Sequence, residues 1–135
     1  MIAKDKVLVV DIDGTLCPIK GPDESYRDLP VDEGMRARLK ELQGDGWRII
    51  LSSSRGMRTY DGNAGEILKK VLPVLSDWLA RNDVPFDEIW MAKPWPGHDG
   101  FYVDDRTVRP REFLEHSLEE LAAICDRDRV AGNPA

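Results

Sequence analysis

The chain has 135 residues, 41% of them apolar and 33% charged, which fits one globular domain and leaves no room for a second of ordinary size. A formal net charge of −6, with no clustered Lys/Arg run, disfavours a polyanionic partner such as DNA. Cys17 and Cys125 lie far apart without metal-type spacing and read as thiols, Cys17 as a small buried filler.

In chain order, the charged start Met1–Lys6 precedes a hydrophobic run of only four residues, too short for a signal-peptide core or a membrane span. The expected location is therefore cytoplasmic, with no membrane partner. That run, Val7-Leu8-Val9-Val10, shows no alternation and predicts a strand buried on both faces of a parallel sheet. It ends in Asp11-Ile12-Asp13-Gly14-Thr15. Ligands of open α/β sheets bind beyond the carboxyl ends of the strands, so Asp11 and Asp13 are expected to face one pocket. On a surface turn these residues would be ordinary. At the end of a buried strand two carboxylates need a cation; Mg²⁺ takes such oxygen ligands, and Gly14 lets the chain turn tightly around them.

Cys17 to Pro30 contains Pro18, Gly21, Pro22 and Pro30 without a period and reads as a loop or flap over the site, with Tyr26 and Arg27 as candidates for substrate contact. Asp32 is placed to cap a helix carrying Met35, Leu39 and Leu42, stopped by Gly44-Asp45-Gly46. Trp47–Leu51 predicts a second strand, and the run Ser52-Ser53-Ser54-Arg55-Gly56 after it can present a hydroxyl to a phosphoryl oxygen. Met57 to Gly65 is a polar second loop. Helical spacing resumes from Ala64; Pro73 predicts a break, with a further helix from Val74 to Ala80 whose stripe is Leu75, Trp78 and Leu79. Glu88–Met91 predicts a third strand leading to Lys93, framed by Pro94 and Pro96. Phe101–Val103 reads as a short strand ending in Asp104-Asp105, so that four acids meet at one sheet edge, a costly arrangement without a cation. Pro110 opens one last helix with Phe113, Leu114, Leu118, Leu121 and Ile124, and a single domain over 1–126 is followed by a polar tail, 127–135. Alternating strands and helices predict an α/β fold with a parallel sheet covered on both faces.

Asp11-Ile12-Asp13-Gly14-Thr15-Leu16, Ser53 two positions before Arg55, Lys93, and Asp104-Asp105 follow the order of the four motifs of the haloacid dehalogenase (HAD) superfamily of phosphotransferases, which the chain resembles. The resemblance implies a three-layer α/β/α Rossmann-like core with sheet order 3-2-1-4 and no cap domain. It also implies Asp11 as nucleophile, Asp13 as general acid and base, and Ser53 and Lys93 as stabilisers of the transferring phosphoryl group. Gly14, Ser54 and Arg55 then stand on the substrate side, and Mg²⁺ falls to Asp11, Asp13 through its main-chain carbonyl, Asp104 and Asp105. A closer likeness runs through Arg55-x-Met57-Arg58-Thr59-Tyr60-x-Gly62-Asn63, Lys93-Pro94-Trp95 and Gly100–Arg106, which resemble the small capless phosphatases encoded with bacterial capsular polysaccharide biosynthesis. That group tends to have Thr-Ala-Arg-Asn where this chain has Ser53-Ser54-Arg55-Gly56. The implied activity is phosphomonoester hydrolysis on a phosphorylated sugar or polysaccharide precursor, with a polynucleotide phosphatase as the alternative.

Two readings from other classes compete. A phosphorelay receiver, a non-enzymatic signalling module, needs a phosphoacceptor aspartate at the end of its third strand, where Met91-Ala92-Lys93 stands instead. An idle scaffold would keep the fold without the chemistry, and the presence of every motif residue argues against it. Oligomeric state is left open by the sequence.

Overall fold

The computed structural model describes residues 5–131, which divide into two compact units, one ending at Trp95 and one beginning at Pro96. The first is a mixed α/β body. Strand β1 (Val7–Val10) runs parallel to β2 (Arg48–Ser52), from Val7 opposite Arg48 to Val10 opposite Leu51, and β2 runs parallel to β3 (Glu88–Trp90). The described strands form a three-stranded parallel sheet in the order β1-β2-β3.

Two strand expectations need correction. Phe101–Val103 is irregular rather than a strand, with Phe101 and Val103 exposed. A strand exists through its partner, and three β-prone residues carry no information on whether a partner is there. β1 is not buried on both faces: Val10 is buried, but Val9 is exposed. β1 is an edge strand of the described sheet, so an unbroken apolar run did not distinguish edge from centre.

The crossover from β1 to β2 is α1 (Glu33–Gly44). Its start is as read, the Asp32 carboxylate accepting from the Met35 N–H at 2.8 Å. Met35, Leu39 and Leu42 are buried, and Gly46, at a φ of 91°, turns the chain back toward β2. Between β2 and β3 stand α2 (Ala64–Lys70), capped by Asn63, and α3 (Leu72–Arg81). The helical run from Ala64 does break there: α2 ends at Lys70, and Pro73 falls in the first turn of α3, which has no use for the N–H that proline lacks. The α3 stripe of Leu75, Trp78 and Leu79 is buried as expected.

The 17–30 segment is tied into this core. A short 3₁₀ turn, Tyr26–Asp28, is capped by Ser25, and Leu29 is buried. The Trp78 indole N–H donates to the Leu29 carbonyl at 2.8 Å, and Arg81 Nη2 donates to the Arg27 carbonyl at 2.9 Å. Arg27, read as a candidate for substrate contact, thus lends its carbonyl to α3. The loop lacks a period because its order comes from α3, a partner roughly fifty positions away in sequence.

In the second unit α4 (Pro110–Glu115) and α5 (Leu118–Arg127) replace the single expected helix. Ser117 and Glu120 cap each other reciprocally and start a new helix. That Ser-x-x-Glu signature was legible and outweighs the continuous apolar spacing. Residues 132–135 of the expected tail, and 1–4 of the amino-terminal start, lie outside the described residues. Among the described residues no helix is long and apolar enough to cross a membrane.

Candidate active site

The carboxyl ends of the three parallel strands bring together Asp11 and Asp13 after β1, Ser53 and Arg55 after β2, and Lys93 after β3. After Val10 the chain winds tightly: the Ile12 carbonyl accepts from the N–H groups of Thr15 and Leu16 at 3.0 and 2.8 Å. Gly14, at a φ of 87°, donates its N–H to the Cys17 carbonyl at 2.8 Å. Gly14 therefore shapes the turn that carries both acids, a role open to glycine because an L side chain is strained at that φ.

Asp11 and Asp13 sit in different surroundings. Asp11 is 37% exposed, with Lys93 Nζ 3.5 Å from Oδ1 and the Thr15 hydroxyl 3.4 Å from Oδ2. Asp13 is held by a fork, Arg55 Nε donating to Oδ2 at 3.1 Å and Nη2 to Oδ1 at 2.9 Å. Two parallel charge-assisted bonds fix the plane of the carboxylate as well as its position. The Arg55 side chain is 2% exposed and its guanidinium lies 4.0 Å from the centre of the Tyr26 ring, so the 17–30 segment stacks on the group that orients Asp13.

Ser53 is buried, and its hydroxyl oxygen accepts from the Arg55 N–H at 3.0 Å, leaving the hydroxyl proton for another acceptor. The Ser53 backbone clamps the third strand end as well: its N–H donates to the Trp90 carbonyl at 2.9 Å and its carbonyl accepts from the Lys93 N–H at 3.0 Å. Between them Ala92 holds a φ of 60°, an uncommon conformation for alanine that turns the chain toward Lys93. Ser54 lends its carbonyl to the Met57 N–H at 3.0 Å.

Cys17, beside Asp13, has its thiol pushed up to about 12, first by burial and then by the Asp13 charge, with Arg55 opposing. It is a protonated packing group rather than a nucleophile. Tyr26 is also raised, again first by burial and then by Asp13.

Asp104 and Asp105 belong to the second unit. Asp104 Oδ1 accepts from the Arg106 N–H at 2.8 Å, and Asp105 Oδ2 pairs with Arg129 Nε at 2.7 Å, the ion pair holding its carboxyl below the usual range. Among the described residues no three His, Cys, Asp or Glu side chains group as a metal site.

Sequence reasoning placed Arg55 against substrate and did not see it as the partner of Asp13. Only its position two residues after Ser53 hinted at a shared location. The stacking of Tyr26 on Arg55 had no sequence signal.

By fold and site this is an α/β protein whose parallel sheet gathers two aspartates, a serine, an arginine and a lysine at the carboxyl ends of its strands. No protein-family model matches the chain, and no curated protein matches it. It is similar to a crystallised target protein from Vibrio cholerae, at 44% identity and a TM-score of 0.86, over 92% of this chain and 99% of that one, and it belongs to the same family. A D,D-heptose 1.7-bisphosphate phosphatase from B. bronchiseptica, crystallised with magnesium and phosphate, is matched at 18% identity and a TM-score of 0.46, over 71% of this chain and 54% of that one.

Proposed function

We propose that the chain is a Mg²⁺-dependent phosphomonoester hydrolase of the HAD type, acting through an aspartyl phosphate on a phosphorylated sugar or polysaccharide precursor, with 1–126 working as one domain. The observation that carries this reading is the pairing of a half-exposed Asp11 beside Lys93 with an Asp13 fixed by Arg55. A nucleophile must reach phosphorus, whereas a proton carrier must stay oriented, and the two carboxylates differ in that sense.

In the proposed reaction an Asp11 carboxylate oxygen attacks phosphorus as the ester P–O bond breaks. Asp13 gives its proton to the departing oxygen, then takes one from the water that attacks the aspartyl phosphate, which releases phosphate and restores Asp11. The Lys93 ammonium and the Ser53 hydroxyl proton offset charge on the phosphoryl oxygens.

The donor set suits a hard cation, since Asp11 offers carboxylate oxygen and Arg55 occupies both Asp13 carboxylate oxygens, leaving the Asp13 main-chain carbonyl. Asp104 and Asp105 are further expected ligands by the sequence resemblance alone; they lie in the second unit, where Asp105 pairs with Arg129. When bound there, Mg²⁺ supplies positive charge against the phosphoryl oxygens. The net charge of −6 favours a small substrate over a nucleic-acid strand.

The test is turnover of hexose phosphates and an aryl phosphate with Mg²⁺, repeated in excess chelator and with Asp11→Asn. Activity lost in both controls supports the reading. Turnover that persists in Asp11→Asn, or none by the wild type, overturns it. A much higher kcat/KM on a 3′-phosphorylated oligonucleotide would favour the polynucleotide alternative.

A further inference from the structure

The first unit has a concavity of about 210 Å³ with Arg55, the partner of Asp13, in its wall. Tyr26, Thr59, Tyr60, Lys70 and Val71 line the rest of it, with Val74. Arg55 thus belongs both to this pocket and to the fork on Asp13, so the pocket is linked to Asp13 through one side chain.

Its chemistry restricts the occupant. Both cations are already neutralised, Arg55 by Asp13 at 2.9 Å and Lys70 by Glu66 at 2.7 Å, so the pocket presents no spare charge for an anion. What remains is amphipathic: two tyrosines and two valines beside the Thr59 hydroxyl and the Lys70 ammonium. Arg55 is 2% exposed, so the polar groups open to an occupant are the Thr59 hydroxyl, the Tyr60 phenol and the Lys70 ammonium. A neutral ring bearing hydroxyl groups matches such a wall better than a second phosphate or a hydrocarbon. Size agrees, because drug-sized pockets run to roughly 300–1,000 Å³ and this one has room for a single ring.

The floor is kept open by Gly56. A Cβ there would come within 2.8 Å of Val71 Cγ2 and 3.5 Å of Tyr60 Cδ2, and the φ of +86° strains any L side chain. Gly56 is one of the three positions, with Ser53 and Ser54, at which the chain differs from Thr-Ala-Arg-Asn.

We infer that this pocket is the leaving-group subsite and holds the uncharged sugar ring of the phosphate ester; the inference rests on the hydrolase reading above. Two measurements separate them. In Asp11→Asn, methyl resonances of Val71 and Val74 are followed while glucose 1-phosphate, glucose 6-phosphate or inorganic phosphate is added. Shifts with a hexose phosphate but not with inorganic phosphate support the subsite; no shift, or the same shift with inorganic phosphate, overturns it. In the active chain, Tyr60→Ala, Lys70→Gln and the filling variant Val74→Phe are compared on a hexose phosphate and on acetyl phosphate, which has no ring. The ratio of the two kcat/KM values should fall by about tenfold or more in at least two variants. An unchanged ratio with turnover intact overturns the subsite and leaves the hydrolase standing. Methyl shifts without any wild-type turnover overturn the hydrolase and support a sugar-phosphate binding site.

Discussion

Asp13 and Asp105 each meet an arginine at almost the same distance, 2.9 Å for Arg55 and 2.7 Å for Arg129, yet the first arginine is 2% exposed and the second 42%. Distance therefore does not rank the two pairs. Around Arg55, water is replaced by Tyr26, Cys17 and the sheet end, so removal of either partner strands a charge in a poor solvent. Around Arg129, water can take over from Asp105 at little cost. The buried pair fixes the plane of a carboxylate proposed to move protons, and the exposed pair ties the 104–106 turn to the chain just after α5.

The widest contrast between place and chemistry is expected at Asp11, next to the buried pair. Asp11→Asn keeps the shape and removes the nucleophile, so kcat should fall by about 10³-fold or more, at least about 4 kcal/mol of transition-state stabilisation, while the melting temperature holds. A loss below tenfold in steady-state assays would remove Asp11 from the nucleophile's role.

Arg55→Met should cost about 3–5 kcal/mol in urea denaturation, because Asp13 is left unpaired next to a buried cavity. Arg55→Lys should recover only part of this, since an ammonium cannot reproduce the fork. Equal stability of Arg55→Met and wild type would show that the pair is not buried as described.

Cys17 gives a smaller effect with a definite sign. Its folded-state thiol is raised from 9.0 to about 12, so its contribution is present below the unfolded thiol pKa and is lost as pH rises from 9.0 toward about 12. The melting temperature of wild type should fall more steeply over that window than that of Cys17→Ala. Iodoacetamide at neutral pH should label Cys17 only after denaturation.

The least effect is expected from Arg129→Met, within error by thermal melting near neutral pH. Asp105 is held low by Arg129, so what stability the pair provides is present above the ordinary carboxylate range and disappears as pH falls through the folded value. Wild type and variant should therefore converge in acid. A loss near that of Arg55→Met would erase the distinction between the two pairs.

The sequence alone determined the parts with a local physical signature. The unbroken apolar run of β1, the Asp32 cap, the helical spacing of Met35, Leu39 and Leu42 and the Gly14 turn are all effects of neighbours within a few residues. Order along the chain also made Asp11, Asp13, Ser53 and Lys93 legible as one group, because parallel strands deliver their carboxyl ends to a common edge. Only tertiary structure decided the rest. That Phe101–Val103 is irregular and that β1 stands at an edge are matters of which strands pair, and propensity does not report pairing. The Arg55 fork on Asp13, 42 positions away, and the hold of Trp78 on the 17–30 loop, 49 positions away, depend on contacts with no trace in local composition. A buried charge or indole N–H must find its partner in space, and the sequence names the group in need without naming what satisfies it.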